Sequence, residues 1–457
     1  MPPPRAISCF PFLFRNAPEI APMACPVKAF ARQPAAKRIS CGAAIGYAGG
    51  MENADVIILG GGLVGLTLAL ALDSHGLSSH VIDTADLRTT VAPAFDGRVS
   101  AIASASMHML DAIGVGEQLL PTACPIDRIR VSEGLLPLHL DFDSQDSDGR
   151  PLGYMVENRL LRHALFARLG DAANITLHAP ARAVKMDRGP NHASVTLDNG
   201  QELKAPLLII AEGRNSPTRA AAGIRIARWR YDHGAVVTVI DHEKSHQNIA
   251  FEIFYPTGPF ALLPMKGKDG EPTRSAVVWT VKESLAPAVV DLPARALIAE
   301  LEKRMGGFLG DVRLAAPAWT YPLGFHHADR ITDRRLAMVG DAAHGIHPIA
   351  GQGLNLGFRD VAALAQVLVE GARLGLDPGD PELLRRYQHW RGFDTMMVAG
   401  ATDILTWLFG APGRTMKATR ALGIAAVNKV APLKQRFMAE ARGEAGDLPR
   451  LLRGELI

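Results

Sequence analysis

Residues 55–83 read DVIILGGGLVGLTLALALDSHGLSSHVID, and this stretch decides the fold. The apolar run Val56–Leu59 predicts a short buried strand, and the small apolar residues from Leu63 to about Ser74 predict a helix. A second apolar run ends at Asp83 and predicts another strand. Strand, helix and strand in this order indicate a βαβ unit, so we predict an α/β fold with a parallel sheet.

A glycine-rich loop joins the first strand to the helix and carries the pattern G-x-G-x-x-G at Gly60, Gly62 and Gly65. Gly60 makes the tight turn, Gly62 lets the backbone approach a pyrophosphate, and Gly65 lets the helix pack on the strand. Asp83 is placed to accept hydrogen bonds from an adenosine ribose. The unit predicts dinucleotide binding, with a glycine-rich turn in another βα unit as the alternative. The motif alone fits FAD and NAD, but its place as the first structured element favours FAD.

Composition limits the classes of function. The 457 residues exceed one ordinary core, so we expect two large lobes. The net charge of +3 comes from residues 1–50, which hold six Lys or Arg and one acid, against 43 bases and 45 acids in the rest. We therefore predict no nucleic-acid partner. Beyond residue 50 the chain keeps only Cys124, which excludes a disulfide framework and a thiolate metal cluster there.

The leader, residues 1–50, is basic, rich in Ala and Pro, and poor in acids. A targeting peptide has this composition, and so does an extension upstream of a start at Met51. We favour the second interpretation and exclude the leader from the fold. It predicts a cytoplasmic protein, peripheral on the inner face of the membrane, whereas a transit peptide would place the protein in the mitochondrial matrix.

Two arginines and one strand end are further candidate anchors. DGRVSAI (96–102) and VENRLLRHAL (156–165) each place an arginine, Arg98 and Arg159, near a predicted helix start. An arginine binds phosphate or a ribityl chain through paired hydrogen bonds, although an isolated arginine is more often a surface residue. The run Leu207 to Ala211 predicts a buried strand that ends at Glu212, where open α/β sheets place ligands.

The segment RRLAMVGDAAHGIHPIAGQGLNLGFRDVAAL (334–364) predicts a strand, a loop and a helix that begins near Leu354. Asp341 at the strand end suits a ribityl hydroxyl. Glycines 351 and 353 let the backbone pass close to a flat ring, and a helix N-terminus there stabilises negative charge on that ring. The N–H groups predicted to point at the ring are those of Gly353, Leu354 and Asn355.

Two histidines in this loop, His344 and His347, raise the alternative of a metal site. They are three residues apart, but no carboxylate pair lies nearby in the sequence, and zinc needs a third ligand. We predict no metal and a structural role for His344.

These anchors, in this order, resemble the group A FAD-dependent aromatic hydroxylases of the p-hydroxybenzoate hydroxylase fold. Within that group the chain looks most like the ubiquinone-biosynthesis hydroxylases (UbiH/UbiF type). The resemblance spans about residues 54–440 and rests on GGGLVGLTLAL, DGRVSAI, ENRLLRHAL, FEIFYPTGPFALLPM (251–265), SAVVWT (275–280) and HPIAGQGLNLGFRD.

The resemblance implies roles for individual residues. The implied cofactor-binding residues are Gly60, Gly62, Gly65, Asp83, Arg98, Arg159, Asp341, Gly351, Gly353, Leu354 and Asn355. Pro348 would frame the isoalloxazine, and His347 is the candidate polar group facing the substrate ring. Glu212-Gly213 departs from the family, which usually has Asp-Gly; glutamate keeps the charge but is one methylene longer.

The resemblance also implies an organisation of the chain. An antiparallel sheet, expected from the alternation in residues 233–283 and 316–324, would form a substrate lobe inserted into a three-layer FAD-binding domain. The predicted divisions are 1–50 (leader), 51–230 (FAD-binding domain with segments of the substrate lobe), 231–330 (substrate sheet), 331–400 (return to the FAD-binding domain) and 401–457 (helical region).

The implied activity is hydroxylation of a polyprenylated phenol through a C4a-hydroperoxyflavin, with O2 and transient NADPH or NADH. Other ubiquinone-biosynthesis proteins are potential partners. Three alternatives stay open: a group A hydroxylase of another aromatic substrate, a prenyl reductase or halogenase on the same fold, and a flavin-binding scaffold without turnover. The basic amphipathic stretch 402–441 predicts either a membrane-surface contact or a helix packed on the FAD lobe.

Overall fold

The structure is a computed structural model that describes residues 53–87, 89, 97–345, 352–392, 427 and 430–457. Its strands are β1 (Val56–Leu59), β2 (Ser79–Ile82), β3 (Val99–Ala103), β4 (Cys124–Ile126), β5 (Arg128–Glu133), β6 (His139–Asp143), β7 (Gly153–Glu157), β8 (Ile175–His178), β9 (Ala183–Arg188), β10 (Ala193–Leu197), β11 (Glu202–Ala205), β12 (Leu207–Ile210), β13 (Ile226–His242), β14 (Ile249–Tyr255), β15 (Gly258–Met265), β16 (Arg274–Lys282), β17 (Val312–Leu314), β18 (Trp319–Ala328), β19 (Thr332–Asp333), β20 (Leu336–Met338) and β21 (His344–Gly345).

The helices follow the same numbering. They are α1 (Leu63–Asp73), α2 (Ser104–Ala112), α3 (Gly116–Leu119), α4 (Asn158–Leu169), α5 (Pro217–Ala221), α6 (Ala286–Val290), α7 (Ala294–Met305), α8 (Gln352–Arg373), α9 (residues 381–392) and α10 (Ala431–Ala441).

The βαβ unit predicted from the sequence forms the middle of a mainly parallel sheet. Its strand order is β19-β20-β12-β1-β2-β8, and β1 pairs in parallel with both β12 and β2. All four residues of β1 are buried because the strand is covered on both faces, which is why it reads as an unbroken apolar run. The predicted α/β fold class and the predicted strands β1 and β12 are confirmed, and α1 ends one residue before the expected Ser74.

Two further layers complete the core around this sheet. Helices α1 and α8 pack on each other, and α1 also contacts α4. The antiparallel sheet β11-β10-β9 contributes Val195, Leu197 and Leu203 to the same apolar core. This arrangement holds the N-terminus of α1 and the segment after β20 at one edge of the parallel sheet, where ligands bind in open α/β sheets.

A second, larger sheet is formed by chain segments that lie mostly between β12 and β20. Its order is β21-β18-β13-β16-β15-β14-β5-β6, with β17 paired to β13, and its neighbours are antiparallel except for β14 and β5. The antiparallel pairing expected in residues 233–283 and 316–324 is therefore confirmed. The sheet also includes β5 and β6, and β13 begins at Ile226, before the predicted division at residue 231.

The two faces of the large sheet have different neighbours. On one face Val236 and Trp279 share a core with Leu297 and Leu301 of α7. On the other face lies the small sheet β3-β7-β4, whose Met155 shares a core with residues of β13, β14, β15 and β16. The face away from α7 is therefore the one turned toward the small sheet.

The C-terminal region is described only in part, because residues 402–426 of the basic stretch lie outside the described residues. In α10, Lys434 Nζ lies 2.6 Å from Asp146 Oδ2, and the ring centroids of Phe437 and Phe142 are 6.2 Å apart. These contacts attach α10 to β6 and the turn after it. Within the described ranges, no helix is both long and apolar enough to cross a bilayer.

Candidate active site

The glycine loop after β1 needs glycine at two positions for packing. Gly60 has a φ of +108°, and a Cβ there would overlap the carbonyl oxygen of Ala211 at the end of β12. A Cβ on Gly65 would overlap the carbonyl oxygen of Gly60. Both glycines therefore let α1 and β12 approach the loop closely, as the G-x-G-x-x-G pattern requires.

Gly62 is different, because its missing side chain leaves open space. Among the described residues, no atom would lie within 4 Å of a Cβ there, and no side chain caps α1 at this end. The first turn of a helix has N–H groups without helical partners and a partial positive charge. An open, uncapped helix N-terminus fits a pyrophosphate, so the residues here fit FAD.

Asp83 organises this loop. Its Oδ2 accepts a hydrogen bond from the Gly61 N–H at 2.7 Å, and its Oδ1 accepts one from the Ala85 N–H at 2.8 Å. The carboxylate thus joins the end of β2 to the glycine loop. The ribose contact expected for Asp83 stays a prediction.

The two predicted arginines lie at the same end of the small sheet. β3 and β7 are antiparallel, and the Asn158 N–H donates to the carbonyl oxygen of Arg98 at 3.0 Å. Arg159 lies in the first turn of α4 as predicted, and its Nε donates to Glu157 Oε2 at 2.6 Å. The prediction of a helix start near Arg98 is wrong, because Val99–Ala103 pairs with β7 as a strand before α2 begins.

The segment after β20 holds Asp341 by its backbone. His326 Nε2 donates to the carbonyl oxygen of Asp341 at 2.8 Å, and burial lowers the pKa of His326, so its ring is a neutral donor. The Asp341 side chain remains 46% exposed, with its Oδ2 at 3.9 Å from Arg214 Nε. A fixed backbone with an accessible carboxylate suits the ribityl contact, which stays a prediction.

Asp360 of α8 forms a buried centre that the sequence did not reveal. Its Oδ2 accepts from the Gly340 N–H at 2.8 Å and lies 2.8 Å from His344 Nε2, and its Oδ1 accepts from Arg391 Nε at 2.6 Å. Burial raises the pKa of Asp360, but the charges of His344 and Arg391 outweigh burial and hold it below its ordinary value. His344 therefore has the structural role predicted for it. The available signal was an aspartate on a face of α8 that is otherwise apolar.

Glu212, the departure from the family pattern, binds the first residues of α5, whose N-cap is Ser216. Ser216 Oγ donates to its Oε2 at 2.5 Å, and Thr218 Oγ1 donates to its Oε1 at 3.0 Å. Nearby, Arg219 donates to the carbonyl oxygens of Ala342 at 2.8 Å and Arg214 at 2.9 Å. Glu212 thus ties the loop after β12 to the start of α5, and Arg219 ties that helix to the Asp341 segment.

The start of α8 is attached to the small sheet. Asn355 Oδ1 accepts from the Ala103 N–H at 2.9 Å, and its Nδ2 donates to the carbonyl oxygen of Ala101 at 2.8 Å. Its side chain therefore holds α8 against β3, while a Cβ on Gly353 would have no atom of the described residues within 4 Å. The predicted ring contacts of Gly353, Leu354 and Asn355 stay predictions. His347, Pro348 and Gly351 lie outside the described residues.

Fold and site together define a flavoprotein that has an FAD-binding domain and a second sheet facing it. The family model described as FAD binding domain matches residues 53–395. The chain is 47% identical over 404 residues to the ubiquinone hydroxylase UbiL of Rhodospirillum rubrum, which covers 88% of this chain and 93% of the relative. It is 33% identical over 394 residues to the 3-demethoxyubiquinol 3-hydroxylase of Escherichia coli, covering 86% and 99%.

A solved structure shows the same fold. The p-nitrophenol 4-monooxygenase PnpA of Pseudomonas putida superposes with a TM-score of 0.70 over 87% of this chain and 100% of that chain, at 18% identity. The chain belongs to the ubiquinone-biosynthesis hydroxylases, a family of FAD-dependent monooxygenases. The resemblance found from the sequence motifs and the FAD requirement are confirmed.

Proposed function

We propose that this protein hydroxylates the aromatic ring of a polyprenylated phenol in ubiquinone biosynthesis, with bound FAD, O2 and electrons from NADPH or NADH. The observation that carries the proposal is the open cradle at Gly62 in a chain 47% identical to a ubiquinone hydroxylase over 88% of its length. Bound FAD would supply the oxygen-activating chemistry, which no amino-acid side chain provides.

The residues of the chain would bind the cofactor, orient the substrate and exclude water from the site. Gly62 and the first turn of α1 would hold the pyrophosphate, and Asp341 the ribityl chain. The small sheet and the large sheet would exclude water from the substrate ring, since a dry site protects reactive oxygen species from side reactions. The apolar face of β15 and β16 turned toward the small sheet supports this role.

The polyprenyl chain of such a substrate partitions into lipid, so we expect the protein to work at a membrane surface. In the described part, α10 keeps Leu433 and Phe437 exposed at 38% and 41%, which is compatible with such contact. Residues 402–426, which carry most of the predicted amphipathic stretch, lie outside the described residues.

The test is complementation. The chain is expressed in Escherichia coli strains that each lack one quinone-ring hydroxylase, and the accumulated intermediates are identified by mass. Rescue of one strain assigns a single ring position, and rescue of several assigns a broad regioselectivity. If the protein is produced with FAD bound and no strain regains ubiquinone, the proposed substrate class is wrong.

A further inference from the structure

A carboxylate on β14 faces the small sheet rather than α7. Along this strand Phe251 and Ile253 pack in the core shared with α7, whereas Ala250 belongs to the core shared with the small sheet. Side chains alternate between the faces of a strand, so Glu252 lies on the same face as Ala250. A charged residue at an inward position of an otherwise apolar strand was the signal in the sequence.

The sheet register gives the neighbours of Glu252. Residues in register across adjacent strands have side chains on the same face. One row across the face runs through Trp319 (β18), Val237 (β13), Val278 (β16), Ala261 (β15), Glu252 (β14) and Val131 (β5). Glu252 is therefore flanked by Ala261 on one side and Val131 on the other, and the row around it is apolar.

Glu252 has no partner within the part of the chain that the structure describes. No side chain there donates a hydrogen bond or forms an ion pair with it. Burial alone raises the pKa of Glu252 from 4.5 to about 7. The residue nevertheless keeps some accessible surface, which a tightly packed core residue would not have. Glu252 is therefore partly accessible on this face of the sheet.

The ionisable groups on the neighbouring elements that the structure describes do not pair with Glu252. Arg274, at one end of β16, donates to Asp241 Oδ1 at 2.6 Å and lies near Glu157 of β7. On the same face, Glu133 ends β5, and Tyr321 lies on β18, several strands away. Burial raises the pKa of Tyr321 to about 12, so this hydroxyl stays protonated.

The small sheet connects this part of the face to the cofactor side. Val99 and Ala101 of β3 contribute to the same core as Ala250, and Asn355 attaches β3 to the start of α8. Glu252 is two residues from Ala250, about 7 Å along the strand. It thus lies one row beyond the part of the face that the small sheet covers. Trp319 in the same row lies next to Gly97, just before Arg98.

We propose that Glu252 is the catalytic residue that accepts the proton of the substrate's phenolic hydroxyl. This inference rests on the proposed function. The phenolic O–H bond breaks, the proton goes to a carboxylate oxygen of Glu252, and the electron pair remains on the phenolic oxygen. The ring is then more electron-rich and attacks the activated oxygen more readily. An ionised carboxylate in apolar surroundings is a strong hydrogen-bond acceptor, and a bound phenol would supply the hydrogen-bond donor for Glu252.

A binding experiment on the oxidised, FAD-loaded protein tests this without turnover. The probes are 2-prenylphenol and its methyl ether, which has the same shape but no O–H donor. We expect the wild type to bind the phenol about tenfold or more tightly than the ether above pH 7, with the preference shrinking below pH 7 as Glu252 is protonated. Glu252→Gln should remove this pH dependence. Glu271→Gln, an exposed glutamate between β15 and β16, is the matched control and should keep it.

Turnover gives the second measurement. With reductant and O2, Glu252→Gln should lower kcat for hydroxylation by about 100-fold or more, and Glu271→Gln should leave it unchanged. A wild-type preference for the phenol that is constant through pH 7, or a Glu252→Gln variant with wild-type kcat, overturns the role of Glu252. The binding preference is measured on the wild type, so the inference can be refuted even if the Glu252→Gln protein misfolds. If the FAD-loaded wild type neither binds nor hydroxylates prenylphenols, the proposed function itself fails.

Discussion

Replacing Asp360 by asparagine should strongly destabilise the protein. Asp360 is fully buried and lies against Arg391 Nε at 2.6 Å and His344 Nε2 at 2.8 Å. Asparagine keeps the shape but carries no charge, so the Arg391 guanidinium, 3% exposed, would lose its ion pair with residue 360. Removing one partner of a buried ion pair costs about 3–5 kcal/mol. We expect the free energy of unfolding to fall by that amount at pH 7.

The assay is urea unfolding of the FAD-saturated protein, followed by far-ultraviolet circular dichroism. Glu382→Gln is the control, because it removes a charge from the exposed pair Glu382–Arg385, whose side chains are 73% and 65% exposed. Exposed pairs are worth less than about 1 kcal/mol. FAD binding should also weaken in Asp360→Asn, since the Gly340 N–H beside Asp341 loses a charged acceptor. If both variants lose the same stability, Asp360 is not the buried centre that its contacts indicate.

Two further predictions concern the glycine loop and Glu252. Gly62→Ala should fold like the wild type but bind FAD about tenfold or more weakly in a flavin-fluorescence titration, whereas Gly65→Ala should lose stability even without FAD, because its Cβ overlaps the Gly60 carbonyl. Equal FAD affinity in Gly62→Ala and wild type would refute the pyrophosphate position. Glu252 has a pKa of about 7 in the folded chain against 4.5 ordinarily, so the folded state holds a proton that the unfolded state has lost between these values. The contribution of Glu252 to stability should therefore fall as pH rises from 4.5 to 7. In urea melts at fixed pH values, the free energy of unfolding of the wild type should decrease relative to that of Glu252→Gln by about 3 kcal/mol at most.

The sequence predicted the parts of the site that depend on local pattern. The β1–α1 unit and the strand before Asp341 carry their periodicity and glycines within short segments, so they were found at nearly the correct residues. Arg98 was misjudged because β3 is a strand only through its pairing with β7, which lies more than fifty residues away in the sequence. Pairings of that kind are set by tertiary contacts rather than by local propensity.

The residues that the sequence did not reveal act across the fold. Asp360 and Arg391 lie on separate helices, and their ion pair forms only when α8 and α9 pack together. In the sequence Glu252 is a single charged residue in an apolar strand. Its neighbours, Ala261 and Val131, are known only from the register of the sheet. Single residues whose role depends on long-range geometry leave little trace in composition or spacing.

The hydrogen bonds between Asn355 and β3 have a consequence for biosynthesis of the protein. Asn355 lies 252 residues after Ala103, whose N–H it accepts, so this joint closes only when most of the chain has left the ribosome. The glycine loop, by contrast, emerges early. Contacts of such long range form late, because closing a long loop costs entropy before any contact is gained. Stable capture of FAD should thus occur late in synthesis. A nascent chain truncated before residue 336 lacks both Asp341 and Asn355, so it should release the flavin that the glycine loop alone holds weakly.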